Sequence, residues 1–127
     1  MGNQLDSELS IYLQIARLLE EGILTDEYPE ETQAPSTNEL AKKFSINPAT
    51  AAKGVSILVE DGVLYKKRGL GMFVAEGARE KVRQKRRKAF YTAFTLPLAI
   101  EARRLRYTDQ ELSQIVQRAL DEVDTGD

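Results

Sequence analysis

Two helix-start signals stand eleven residues apart in the middle of this chain, and no other feature restricts its fold as much. Ser36-Thr37-Asn38-Glu39 has the form of a capping box. The Ser36 hydroxyl can accept from the backbone N–H of Glu39, whose carboxylate reaches back to the N–H of the cap. Asn47-Pro48 is the second signal: a favoured N-cap residue, then a proline whose missing N–H costs nothing at the first helical position. A helix begun at Ser36 must therefore end near Phe44, with Leu40, Ala41 and Phe44 apolar. The chain then turns sharply through Ser45 and Ile46 into a second helix, which closes near Asp61-Gly62 with Ala51, Val55, Leu58 and Val59 facing inward.

The flanks complete the pattern. After Ser10, the residues Tyr12, Ile15, Ala16, Leu19 and Ile23 recur at helical spacing and make one apolar face, with Glu20 and Glu21 largely off it. Asp26 to Pro35 holds two prolines and four acids and reads as a loop. Val63-Leu-Tyr-Lys-Lys67 and Met72-Phe-Val-Ala75 are short apolar runs around the turn Arg68-Gly-Leu-Gly71, a hairpin signal. Helix, helix, tight turn, helix, hairpin is the order of a winged helix-turn-helix, assigned to residues 8–76.

Residues 77–127 are assigned to a helical tail. A long helix is predicted over 79–106, with a kink or break at Pro97, which deprives Ala93 of its acceptor bond. Thr108-Asp-Gln-Glu111 is another capping box and opens a last helix. Its apolar face holds Leu112, Ile115, Val116, Ala119 and Val123. The fold class is mainly α with a small β-hairpin: an N-terminal winged helix-turn-helix and a C-terminal two-helix dimerisation segment. The tail has more apolar side chains than two helices alone could bury. Phe90, Tyr91, Phe94, Leu98, Leu105, Leu112, Ile115, Val116 and Ala119 are therefore the expected homodimer interface. The three aromatics among them read as dimer core, with a ligand box as the other use.

The residue inventory removes most catalysis. With no His and no Cys, imidazole bases, thiol nucleophiles and Cys/His zinc sites are impossible. No carboxylate pair suggests an enzyme, so no catalytic, cofactor or metal site is assigned. No apolar run approaches the 18 or so residues of a membrane helix. The first residues lack the basic and apolar regions of a signal peptide, and a cytoplasmic address is expected.

The net charge of −2 hides an uneven distribution. Residues 1–32 hold eight acids against one base, Arg17. Residues 33–75 hold six bases against three acids, and residues 76–127 hold eleven bases against nine acids, seven of those bases crowded into 79–88. The second helix of the motif presents Ala49, Thr50, Lys53, Ser56, Ile57 and Glu60 off its core stripe. Asn47, Thr50 and Ser56 can hydrogen-bond bases or phosphates, and Lys53 can meet a phosphate or a guanine. Lys66, Lys67 and Arg68 concentrate charge at the hairpin tip, where Gly69 and Gly71 allow close backbone approach. Three basic residues beside a turn also describe a solvated hairpin. The run 79–88 is open to two readings, a phosphate-tracking stripe or a helix start that pairs with the acidic front.

Five blocks in order carry a resemblance: Ile11-Tyr-Leu-Gln-Ile-Ala16, Pro35-Ser-Thr-Asn-Glu-Leu-Ala41, Ile46-Asn-Pro-Ala-Thr50, Glu60-Asp-Gly-Val-Leu64 and Lys67-Arg-Gly-Leu-Gly-Met-Phe-Val74. Together they resemble the GntR family of bacterial transcription regulators, and the short tail resembles the YtrA-like subfamily, whose tails dimerise. The resemblance implies a sequence-specific regulator, most simply a repressor, that binds a two-fold double-stranded DNA operator as a homodimer. An unidentified small-molecule effector is compatible with it. It also implies DNA contacts at the start of the second helix (Asn38), at the start of the third (Asn47, Pro48, Ala49, Thr50, with Ala52 and Lys53) and at the wing glycine, Gly69; Ser36 and Thr37, beside Asn38, are further candidates for DNA contact. Asn38 stands where the family usually has Arg, and Ala52 where some members do. Ala49 is smaller than the Asn common beside this proline in the YtrA type. Each missing Arg removes about 1–3 kcal/mol of base discrimination, so an operator sequence does not transfer from relatives. The alternative is a winged helix used only as a protein-interaction module, whose binding would ignore salt and wing charge.

Overall fold

The capping boxes and the Asn47 cap all form, and they set the boundaries of the elements in the computed structural model, which describes residues 8–126. In chain order these are α1 (Glu8–Leu24), α2 (Thr37–Phe44), α3 (Pro48–Glu60), β1 (Leu64–Lys67), β2 (Gly71–Val74), α4 (Ala78–Phe90), a π-helical turn (Tyr91–Thr95), α5 (Leu96–Arg104) and α6 (Asp109–Thr125). The first helix thus begins two residues before Ser10. The residues gather into two compact units, one ending at Arg86 and the other beginning at Arg87.

In the first unit, α2 stops where Ser45 adopts a left-handed backbone (φ 54°, ψ 48°), and the N–H of Ile46 bonds to the Ala41 carbonyl at 3.0 Å. Asn47 Oδ1 then accepts from the Ala49 N–H at 2.7 Å and starts α3. Ile15, Ala16, Leu19 and Ile23 of α1 close on Leu40 and Ala41, on Ala51, Val55 and Leu58, and on Val63, Leu64 and Val74. Val59, read as inward, is exposed, because one further residue rotates the side chain about 100° off the Leu58 stripe. A Cβ on Gly54 would lie 2.9 Å from both Ile15 Cβ and the Tyr12 carbonyl oxygen, so α1 and α3 meet almost backbone to backbone. Gly54→Ala gains about 1 kcal/mol of helix propensity but overpacks this contact by about 1–3 kcal/mol. We expect a net loss of stability, read as a lower Tm in a thermal melt. A rise in Tm would contradict the close approach.

The hairpin pairs Leu64 with Val74 and Lys67 with Gly71, antiparallel. Residues 31–34, predicted as loop, lie alongside it as an irregular third strand. Glu31 N–H donates to Val74 O (2.7 Å), Val74 N–H to Thr32 O (2.9 Å) and Ala34 N–H to Met72 O (2.9 Å), and Gln33 is bridged to Phe73. The prolines on either side hid this pairing, whose partner lies some forty residues away.

The first unit also runs ten residues past the boundary expected at Glu76, because the start of α4 is part of its core: Ala78 and Val82 are fully buried. Glu30 accepts the N–H groups of Gly77 (2.9 Å) and Arg79 (3.1 Å), and these bonds hold its carboxyl below the ordinary range. Glu30 therefore favours the folded form fully above the ordinary carboxylate pKa, and that contribution disappears as acidification passes its lowered folded value.

Glu20, read as off the apolar stripe, is buried at 3% exposure. Its carboxylate stands 2.8 Å from Lys85 Nζ and 3.3 Å from Arg86 Nη2. Lys85 also reaches Asp61 (2.7 Å) and Arg86 reaches Glu21 (3.0 Å). Burial works against the Lys85 charge, but its hydrogen bonds to Asp61 and Glu20 outweigh that and raise its pKa. With Arg79 on Asp26 (3.5 Å), much of the basic run is paired with acidic residues, the second of the two sequence readings. Glu20→Gln keeps the shape but removes the charge between two cations. Because Lys85 is half exposed and both cations keep another acid, the cost should be about 1–2 kcal/mol, below that of a fully buried pair. A urea midpoint unchanged from wild type would show that the cluster contributes nothing.

In the second unit the helix does not break at Pro97. The Leu96 N–H bonds back five residues to Tyr91 O, and the backbone stays right-handed through Thr95 and Leu96. The wider π turn places Pro97 in the first turn of α5, where it needs no donor. The helix ends at a left-handed Arg106 (φ 63°), and Thr108 caps α6 by accepting from the Glu111 N–H at 3.0 Å. Among the described residues from Arg87 on, only Ala102 is buried.

Candidate nucleic-acid interface

An α-helix carries a contiguous exposed face when outward residues recur at three- and four-residue steps. On α3 the residues Ala49, Ala52, Lys53, Ser56 and Glu60 do so, and Asn47 and Pro48 extend that face at the helix start. Small side chains at 49 and 52 leave its leading end low and open, which suits close approach to base edges in a major groove. Lys53 is exposed, with Nζ 5.9 Å from the Tyr12 ring on α1, the outer reach of a cation–π contact, so its ammonium remains open to solvent.

Thr50 departs from expectation. It is 3% exposed and points inward beside Ala51, because positions 50, 51, 54, 55 and 58 form the buried stripe. It is not presented to a groove, and a Thr50 substitution would report on packing. The α2 residues divide likewise. Ser36 Oγ accepts from Glu39 N–H (3.0 Å) and its N–H donates to Glu39 Oε1 (2.7 Å), which commits it to the cap, while Thr37 is half-buried. Asn38 is exposed, one residue beyond Thr37.

At the hairpin tip Lys66, Arg68 and Gly69 are exposed. Gly69 has φ 80°, which an L side chain rarely adopts. Lys67 differs: it is half-buried, with Nζ 4.2 Å over the Phe73 ring. Lys66 and Arg68 are thus the wing charges best placed to meet a phosphate. One participant had no sequence signal. Gln33 Nε2 donates to the Leu70 carbonyl at 2.7 Å, tying the tip to the segment before α2. Among the described residues, no helix is long and apolar enough to cross a membrane.

Three helices with a tight α2–α3 turn and a basic hairpin define a winged helix-turn-helix. The chain belongs to the gntR family of bacterial regulatory proteins, matched over residues 11–74. Over 78 residues, 61% of this chain, it is 35% identical to the HTH-type transcriptional repressor NagR of Bacillus subtilis, and the match covers 32% of NagR. Identity to the HTH-type transcriptional regulator YhcF of the same organism is also 35%, covering 61% of this chain and 64% of that one. The chain therefore spans about a third to two-thirds of these relatives.

Among solved structures, a GntR-family transcriptional regulator from Bacteroides thetaiotaomicron superposes with a TM-score of 0.71 at 29% identity, over 88% of this chain and 97% of that one. YtrA from Sulfolobus acidocaldarius, a GntR-family transcription factor, matches 98% of this chain and 99% of its own (TM-score 0.53, 26% identity). The AraR DNA-binding domain in complex with operator ORX1 matches 59% of this chain and 93% of that one (TM-score 0.52, 28% identity).

Proposed function

We propose that this chain is a homodimeric, sequence-specific DNA-binding repressor, acting in the cytoplasm by covering a promoter with two winged helices on a two-fold operator. The observation that carries the reading is the open face at the start of α3, followed in the chain by a wing bearing exposed Lys66 and Arg68. The similarity to a domain solved on its operator supports double-stranded DNA as the ligand. In this mechanism Asn38, Asn47 and Lys53 reach base edges or phosphates, Pro48, Ala49 and Ala52 let the backbone come close, and the wing neutralises phosphates. Ser36 acts through the α2 cap, which fixes where Thr37 and Asn38 stand.

A two-fold operator requires a dimer, and the second unit supplies the argument for one. Helices with a single buried residue have an apolar surface left to cover, and a second copy covers it symmetrically. The assigned interface residues, from Phe90 to Ala119, are exposed or half-buried in the single chain. Repeated selection of genomic DNA fragments on the purified chain tests the whole reading. The expected result is enrichment of fragments sharing an inverted repeat. Binding without sequence preference, insensitive to salt, would favour the protein-interaction module instead.

A further inference from the structure

The wing is a short two-stranded hairpin, a kind of element that holds its shape poorly alone. Its base is anchored by Leu64 and Val74, both buried, but the tip extends beyond the last pair, Lys67 with Gly71. Inside the tip, the Leu70 N–H closes the turn onto Lys67 O at 2.9 Å. From outside, among the described residues, one side-chain hydrogen bond reaches it: Gln33 Nε2 to Leu70 O, 2.7 Å. The residue that makes this bond is itself fixed. Its neighbours are laddered onto β2, and Gln33 is bridged to Phe73.

Gly71 makes room for the contact. A Cβ there would stand 2.9 Å from Gln33 Nε2, and φ is 114°. The missing side chain lets the amide cross to Leu70, so two residues thirty-eight positions apart in sequence fit one another.

We propose that Gln33 is a positioning residue for DNA binding, holding the wing tip so that Arg68 meets the phosphate backbone; this rests on the DNA-binding reading above. It need not touch DNA, because its effect passes through the orientation of residues 68–71. Gln33→Leu removes the donor at nearly constant size and adds no charge.

The test uses the full chain and a duplex recovered by the genomic selection. First, amide hydrogen exchange of the free protein should quicken at residues 68–71 in Gln33→Leu, with α2 and α3 unchanged. Second, affinity by fluorescence anisotropy should fall about three- to tenfold, the scale of one intramolecular hydrogen bond. Third, the same substitution in an Arg68→Ala background should cost almost nothing, since the charge it positions is gone. A merely destabilising change would instead lower affinity equally in both backgrounds. Unchanged exchange at the tip, or equal losses in both backgrounds, overturns the role of Gln33 alone. A wild-type chain that enriches and binds no duplex overturns the DNA-binding reading, and this role with it.

Discussion

Replacing Phe94 and Leu98 together with Glu is expected to make the chain monomeric and to lower its operator affinity by about two orders of magnitude. These side chains are 58% and 45% exposed in the single chain, one turn apart across the π-helical segment. Burying an apolar side chain of this size contributes about 1.5–3 kcal/mol, and in a two-fold dimer each substitution counts twice. Four carboxylates brought into one apolar interface should raise the dimer dissociation constant at least about a thousandfold. The loss on DNA follows from linkage: a second half-site engaged by a tethered copy adds roughly 10²–10⁴ in avidity, with no additional interaction at either half-site. Sedimentation velocity gives the oligomeric state, and anisotropy on full and half operators gives the avidity. A double variant that still sediments as a dimer would remove these residues from the interface. A chain ending at Gly77 would be a poor substitute, because it strips Ala78 and Val82 from the core of the first unit and the cations from Glu20.

The second large effect concerns charge. Lys66→Ala with Arg68→Ala should weaken binding to operator and scrambled duplexes alike, by about two orders of magnitude at low salt, since a hydrogen bond to a charged group contributes about 1.5–3 kcal/mol. The log–log dependence of affinity on salt should flatten by about one for each phosphate that the wing no longer neutralises, or about two per subunit. Lys67 is left in place because its ammonium already lies over Phe73. Asn47→Ala makes the opposite case. Its Oδ1 caps α3, and its place at the leading end of the exposed face should make it erode preference for operator over scrambled DNA, with little change in salt slope. If the wing double variant keeps the wild-type affinity and slope, the wing is not on the DNA.

Much of the fold is local, and the sequence by itself determined that part. Ser36, Asn47 and Thr108 find their partners within three residues, so each helix start is written where it occurs. The apolar stripes of α1 and α3 and the Gly-containing wing turn were legible for the same reason: periodicity and positive-φ demand are properties of a short stretch of chain. The order of those signals sufficed to identify a winged helix, though not every residue on the exposed face of α3.

What only the tertiary structure decided depends on partners distant in sequence. Glu20 reads as a surface acid until Lys85 and Arg86 arrive from α4 to neutralise it. Thr50 reads as outward because it falls beside the Ala51, Val55 and Leu58 stripe, but packing against α1 and α2 sets a helix rotation that turns it inward. Gln33 sits in a proline-flanked stretch with no periodicity, and its hydrogen bond to Leu70 exists only once the strands pair. Pro97 signals a kink or break; the regular α-helix is interrupted just before it, by a turn that widens by one residue, without the chain leaving helical conformation. Short-range hydrogen bonds and periodicity are encoded beside the residues they govern. Burial, ion pairing and helix rotation are fixed only by the rest of the folded chain.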